Sequence, residues 1–437
     1  MKTKNINFRH FQLKPFPHFD QRISLSNIVK GNLQTPSYIS SHSFYPFIHY
    51  TKTTRKYKEN AKLAPKNREI FYASHMDGYI FKYYGELLNQ AYNHLCYARK
   101  IDEVSLAYRN NKDGKNNIDF AAEVVQFITS QERAYIFVSD FSSYFDSLDH
   151  TLLKKRLLTT LNTNKLSEDW WKVFRNITKY NWVEKDDVIK DLENVTSANS
   201  SRSLRDRYYK PSEFREFRKR VEIKKNLKDF GIPQGTAISA VLANVYAVDL
   251  DEALHDYANS LGGIYRRYSD DIIFVIPIKK GEENLTATHE QFIKQIVGDN
   301  KVVIGEGKTS SLYFIDQKIY EDNLFEKESK LDYLGFSFDG KKVKIREKSL
   351  YKYYHRTYKK IEKINKLSVK TGRKIGRKKM YSLYTHLGYN YKGHGNFISY
   401  SKRAHLVFKE NDKIESLINV QTKRHWNKIQ RRLIKIP

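Results

Sequence analysis

The chain has 437 residues, of which 40 % are hydrophobic and 14 % aromatic, with 32 Tyr and 25 Phe; this excludes a disordered polymer and supplies apolar surface for two or three compact units. Its 78 Lys and Arg against 49 Asp and Glu leave a formal charge of +29, a field that draws polyanions, nucleic acid first and an anionic membrane surface second. The single cysteine, Cys96, excludes an internal disulfide or a multi-cysteine zinc site and fits a reducing, cytoplasmic compartment.

Residues 1–30 carry no continuous apolar stretch of the secretory kind. The longest apolar run, Ile272 to Ile278, is strand-sized and far short of the roughly 18 residues of a membrane span, so no membrane helix is expected. Residues 68–100 show helical apolar spacing, and Cys96 within them reads as core packing because no partner His is identifiable. Leu106 to Arg109, followed by Asn-rich sequence around Gly114, reads as an exposed loop. Ala134 to Asp140 is a β-rich apolar run ending on a carboxylate, and His150 to Leu161 resumes helical spacing. Residues 186–220 are polar and charged, which predicts a surface insertion. Thr236 to Ala258, rich in alanine, predicts one buried helix. Ile264 to Tyr268 and Ile272 to Ile276 are strand-like and joined only by Ser269-Asp270-Asp271, a hairpin with acidic residues at its bend. Leu331 to Phe338 gives a further strand signal, closed by the turn pair Asp339-Gly340.

The tail differs from the rest. Residues 341–437 hold 28 Lys and Arg against 5 Asp and Glu, a balance of +23, so most of the net charge sits there. Leu350, Tyr354, Ile361 and Ile364 recur at helical intervals with Lys and Arg on the other face. A single stripe of this kind is ordinarily a solvated helix; the bias here extends through Arg373 to Lys379 and Lys423 to Arg432 with aromatics interleaved, which favours a nucleic-acid surface.

Joining nucleotides requires neutralising charge on both the attacking and the leaving oxygen, and two hard divalent ions about 4 Å apart do this. Mg²⁺ needs only one or two carboxylates beside substrate phosphates, placed on rigid strand ends. Asp140 ends one strand, and Asp270 and Asp271 sit in the bend of a hairpin that can pair beside it.

Asp140-Phe141-Ser142-Ser143-Tyr144-Phe145-Asp146 resembles motif A of the reverse transcriptases, Gly231-Ile232-Pro233-Gln234-Gly235 motif B, and Tyr268-Ser269-Asp270-Asp271 motif C. Val303 to Thr309 is similar to motif D, and Tyr333-Leu334-Gly335-Phe336 to the motif E primer grip. An Asp-Asp pair is ordinarily a solvated turn and a Pro-Gln-Gly an ordinary loop; five such segments in order make coincidence a poor account. The resemblance implies an α+β, right-hand polymerase. Fingers would occupy residues 1–133, an antiparallel-sheet palm 134–340 with a fingers-related insertion at about 150–230, and a basic helical thumb 341–437.

The resemblance also implies roles. Asp140 and Asp270 would bind both Mg²⁺ ions, with Mn²⁺ able to substitute, the Phe141 carbonyl as a further ligand and Asp271 in the same cluster. Gln234 and Gly235 would contact the incoming nucleotide and template. Phe145 would block a ribose 2′-hydroxyl and so select deoxynucleotides, and Lys308 would lie near the leaving pyrophosphate. Leu334, Gly335 and Phe336 would hold the primer. Arg68 falls where the fingers place an arginine on the triphosphate; it and Arg109 read equally as surface charges. Ser269 stands where Ala or Met is commoner between Tyr and Asp, which puts rate or fidelity in question rather than activity.

No zinc-finger nuclease, integrase or RNase H segment is evident. A bare polymerase of this kind resembles the compact bacterial reverse transcriptases of the defence-associated group, including the abortive-infection type, and to a lesser degree retron enzymes. That implies a cytoplasmic bacterial enzyme without membrane association, a structured noncoding RNA as template, dNTPs as substrates, DNA as product, an antiphage role and, as in some relatives, homo-oligomers. The competing readings are a retron or group II intron-derived enzyme without a defence role, an RNA-dependent RNA polymerase, and a non-enzymatic RNA-binding protein.

Overall fold

The computed structural model describes residues 6–58, 61–112, 114–195, 207–305, 307 and 309–434. Its centre is a five-stranded antiparallel sheet in the order Lys318–Tyr320, Ser310–Ile315, Arg133–Asp140, Asp271–Pro277, Ile264–Tyr268. The middle strand is a run of apolar residues because both faces of the sheet are covered. Tyr135 and Phe137 join Phe274, Ile276 and Tyr265 on one face, in a core completed by Ile80, Tyr84, Leu88, Tyr92 and the fully buried Cys96 of the helix His75–Ala98. Ala134 and Ile136 join Ile273, Val275, Leu312 and Phe314 on the other face. There they meet the helix Asn117–Ser130 and a second sheet, Leu331–Tyr333, Phe336–Phe338, Lys342–Ile345 and Glu415–Ser416. Strand alternation thus assigns each residue of the run to one of two cores.

Four expectations about the helices, strands and insertion change in the structure. Residues 69–72 form a strand pairing antiparallel with Phe47–Thr51, and the helix starts only at His75, where the Ser74 hydroxyl accepts from the Asp77 N–H as an N-cap. The apolar stretch after Thr236 is two helices, Ala237–Tyr246 and Val248–Ser260. At the break, the Arg156 guanidinium takes the Tyr246 carbonyl and bonds Asp249. The expected surface insertion carries a core of its own. Helices Lys185–Val195 and Pro211–Arg220 bury Tyr208, Tyr209, Phe214 and Phe217 against Phe19, Ile48 and Val183, while residues 196–206 lie outside the described residues. Finally, Leu331 to Phe338 is two short strands, reversed through Leu334 and Gly335, both with positive φ (44° and 94°).

Beyond the second sheet the chain is mostly helical. The 25-residue helix Glu347–Thr371 buries Tyr353, Tyr354, Ile361 and Ile364 and leaves Lys352, Arg356, Lys359 and Lys363 exposed. Its packing is made of small clusters and cation–aromatic contacts, with Arg432 over Tyr358 at 3.9 Å and Lys428 over Tyr354 at 4.4 Å. The helix Phe397–Lys409 returns to the second sheet, where Ala404 and Phe408 are buried. Among the described residues no helix is long and apolar enough to cross a membrane.

Candidate active site

Strand register brings the acidic residues together. In the pairing of Arg133–Asp140 with Asp271–Pro277, Asp140 stands directly opposite Asp271, so both side chains leave the same face of the sheet. Asp270 occupies the turn one residue earlier, and its carbonyl accepts the Phe141 N–H at 2.9 Å. The structure therefore makes Asp271 the partner of Asp140 across the ladder, with Asp270 alongside. The turn has only two residues, Ser269 and Asp270, and Ser269 is held at φ 63°. A non-glycine residue in a sparsely populated backbone region costs about 1–3 kcal/mol and persists where its surroundings fix it.

A third segment closes the far side. The Ser142 N–H donates to the Val303 carbonyl at 2.8 Å, and the Gly305 N–H to the Asp140 carbonyl at 2.7 Å. A β-carbon on Gly305 would run into Asp140 Oδ1, so the glycine permits that close approach. Lys308, in the same segment, lies outside the described residues.

Between these carboxylates and the second sheet lies a cavity of about 220 Å³, bordered by Asp140, Asp271, Ser310, Lys330, Asp332 and Arg346. Arg346 pairs with Asp332 at 3.0 Å, and its N–H donates to the Gly335 carbonyl at 2.9 Å. Leu334 and Gly335 form the turn, and Phe336 begins the next strand, of the sheet whose Leu331, Asp332 and Arg346 line the opposite wall; residues 334–336 themselves do not border the cavity. Phe336 itself is buried, stacked on Tyr400 at 6.2 Å and edge-on to Phe408 at 4.9 Å.

A second group of predicted residues meets beside the first. The Ile232 N–H donates to the Phe145 carbonyl at 2.8 Å and the Gly231 N–H to Leu148 at 2.9 Å, which docks the Gly231–Gly235 loop on the segment after Asp140. Phe145 is partly buried against the main core. The Phe71 N–H donates to the Gln234 carbonyl at 2.8 Å. Gly235, at φ 122°, has no room for a β-carbon against the Phe71 carbonyl. Arg68 is exposed three residues before Phe71, its backbone paired with Lys52 (2.8 and 3.2 Å).

Arg109 is a correction. Its side chain is 0 % exposed, bonded to Asp102, Asn93 and the Ser105 carbonyl and seated over Tyr92. It is neither a surface charge nor open to a nucleotide; the start of its loop, Leu106 and Ala107, is buried as well.

The oxygen donors suit a hard divalent cation, which takes carboxylate and carbonyl oxygens. Among the described residues, no three His, Cys, Asp or Glu side chains converge closely enough to hold an ion by themselves. An ion that keeps waters and shares substrate phosphates needs only one or two carboxylates, and the facing pair meets that requirement. Sequence reasoning missed Gly305, Lys330, Asp332 and Arg346. The Gly305 signal was a glycine in a segment already singled out, whereas the other three become visible only when the second sheet is placed.

Comparison with known proteins gives the family. The family model described as reverse transcriptase (RNA-dependent DNA polymerase) matches residues 81–338, and no curated protein matches the sequence. Among solved structures, the chain is similar to telomerase from Candida albicans in complex with a fragment of telomeric RNA, at 13 % identity and a TM-score of 0.41, covering 91 % of this chain and 65 % of that one. It is similar also to a C-terminally truncated apo telomerase from Candida tropicalis, at 13 % identity and TM-score 0.40, covering 64 % and 52 %. The RNA-dependent RNA polymerase of a human picobirnavirus aligns at 12 % identity and TM-score 0.36, covering 67 % and 43 %. The chain thus spans under two thirds of the length of each of these polymerases. With its family model spanning more than half of its residues, the chain belongs to the reverse transcriptases, RNA-directed DNA polymerases of a family that works with divalent metal ions.

Proposed function

We propose that this chain extends a primer with deoxynucleotides on an RNA template at the cavity between the Asp140–Asp271 pair and the second sheet. The supporting observation is the register that sets Asp140 opposite Asp271 with Asp270 in the adjoining turn. Asp140, Asp270 and Asp271, with the Phe141 carbonyl, would hold two Mg²⁺ ions or Mn²⁺ in their place. Metal held there would supply neutralisation of charge on the attacking and leaving oxygens. The chain's own residues position the reactants. Gln234 and Gly235 border the incoming base and template, Arg68 reaches the triphosphate, and Phe145 excludes a 2′-hydroxyl. Leu334, Gly335 and Phe336 support the primer end. In this reading residues 1–133 are fingers, 134–340 palm and 341–437 thumb.

Purified Asp270→Asn or Asp271→Asn is expected to lose primer extension by about 10³-fold while RNA binding stays within a few fold; unchanged synthesis would remove the assignment. The rival RNA polymerase reading is separated by Phe145→Ala, which should lower deoxynucleotide preference about 10–100-fold. Preferential use of ribonucleotides by the parent enzyme would decide for the rival.

We further infer a structured noncoding RNA template and a role in bacterial antiphage defence. The support is the resemblance of the chain as a whole to the abortive-infection and retron-like enzymes. Sequencing nucleic acid that co-purifies with the protein, and phage plating with Asp270→Asn, test both; random cellular RNA and unaltered plating would refute them.

A further inference from the structure

Beneath the Ser269–Asp270 turn a charged side chain has been carried into the core. Arg267 and Asp251 are each fully buried. All five N–H donors of the guanidinium are used. Nε and one terminal nitrogen grip the two oxygens of Asp251 at 2.8 and 2.6 Å, and that nitrogen also reaches Ser105 Oγ at 3.2 Å. The other terminal nitrogen donates to Asn244 Oδ1 at 3.0 Å and to the Ser269 carbonyl at 2.9 Å. Asp251 accepts in addition from the Tyr265 hydroxyl at 3.0 Å. The anchors are themselves fixed, since Asn244 donates to the Ala107 carbonyl at 2.8 Å and the Arg267 backbone bonds Val104 and Leu106 at 2.9 Å.

Desolvation cancels much of the attraction in a buried ion pair, and apolar side chains of the same volume would serve packing as well. What they could not do is hold a carbonyl oxygen in a fixed direction. The carbonyl held here belongs to Ser269, the residue at positive φ immediately before Asp270. The Asn244 contact ties the same guanidinium to the helix Ala237–Tyr246, which follows Gly235 by two residues.

We propose that Arg267, seated on Asp251, is the positioning residue of the acidic turn: it pins the Ser269 carbonyl and so sets the direction in which Asp270 and Asp271 are presented. The proposal rests on the assignment of those aspartates to the metal ions. Primer extension by the purified full chain, titrated with Mg²⁺, tests it. Arg267→Lys keeps the charge but lacks the fork that spans Asp251 and Ser269. It should lower kcat at least tenfold, leave KM for the deoxynucleotide within threefold and raise the half-saturating Mg²⁺ severalfold. Adding Ser269→Gly should recover at least threefold, because glycine adopts the positive φ without the clamp. The double variant Arg267→Met/Asp251→Leu keeps an apolar filling and should melt near the parent temperature with the same loss of kcat.

Parental kcat and Mg²⁺ dependence in either folded variant would overturn the proposal, as would failure of both to fold, which would make the pair a fold determinant. Full synthesis by Asp270→Asn would instead overturn the underlying site assignment.

Discussion

The tip of the five-stranded sheet and the C-terminal helical segment use charge in opposite ways. At the tip, few charged groups are fixed by register, by a two-residue turn and by a glycine with no room to spare. In the tail, cations are many, exposed and spaced along the outer face of one long helix over small apolar clusters. Chemistry at a reacting phosphate needs oxygens at defined positions. Retaining a polyanion needs charge density, because each neutralised phosphate releases counterions whatever the angle of approach. Tolerance to substitution should divide along the same line.

Short of removing a carboxylate, the largest effect should come from Gly305→Ala, which adds one methyl group against Asp140 Oδ1. Extension is expected to fall about 10²-fold, the scale of a misplaced catalytic group, with RNA affinity unchanged; parental kinetics would show that the tip is not tightly specified. A smaller effect is expected when Lys352, Arg356, Lys359 and Lys363 are all changed to Gln. Their removal should leave kcat near the parent value but weaken template binding and reduce the slope of log affinity against log salt, by about 0.7–0.9 for each phosphate no longer neutralised. A salt slope equal to the parent's would remove the tail from the binding surface. Smallest of all should be Arg356→Lys, within twofold of the parent in affinity. A tenfold loss there would mean that this helix, too, depends on geometry.

The same division explains what the sequence made legible. Ala134 to Asp140 and the Ser269-Asp270-Asp271 bend were readable because a short β-rich apolar run and a tight turn are local signals. The register that pairs Asp140 with Asp271 follows once those strands are neighbours. The buried aromatics Phe214 and Phe217 were hidden in a basic stretch, since their partners Phe19 and Ile48 lie more than 160 residues earlier in the chain. The division of Thr236 to Ala258 into two helices depends on Arg156, a side chain from a separate helix. Arg109 and Arg267 gave one faint cue, a tyrosine on one side of each, Tyr108 and Tyr268. Whether such a residue faces solvent or an interior carboxylate is decided by tertiary contacts.

One side-chain amide ties the second sheet to the helix that returns from the tail. Asn117 Nδ2 donates both to the Leu334 carbonyl at 2.9 Å and to the Tyr400 hydroxyl at 3.0 Å. The reversal between the two short strands, the helix that backs the central sheet and the helix that returns from the tail therefore share one hinge pin. A shift of the returning helix must either carry the Leu334 reversal with it or break a bond at that pin. Displacement of the returning helix thus has, through this amide, a mechanical route to the Leu334 reversal.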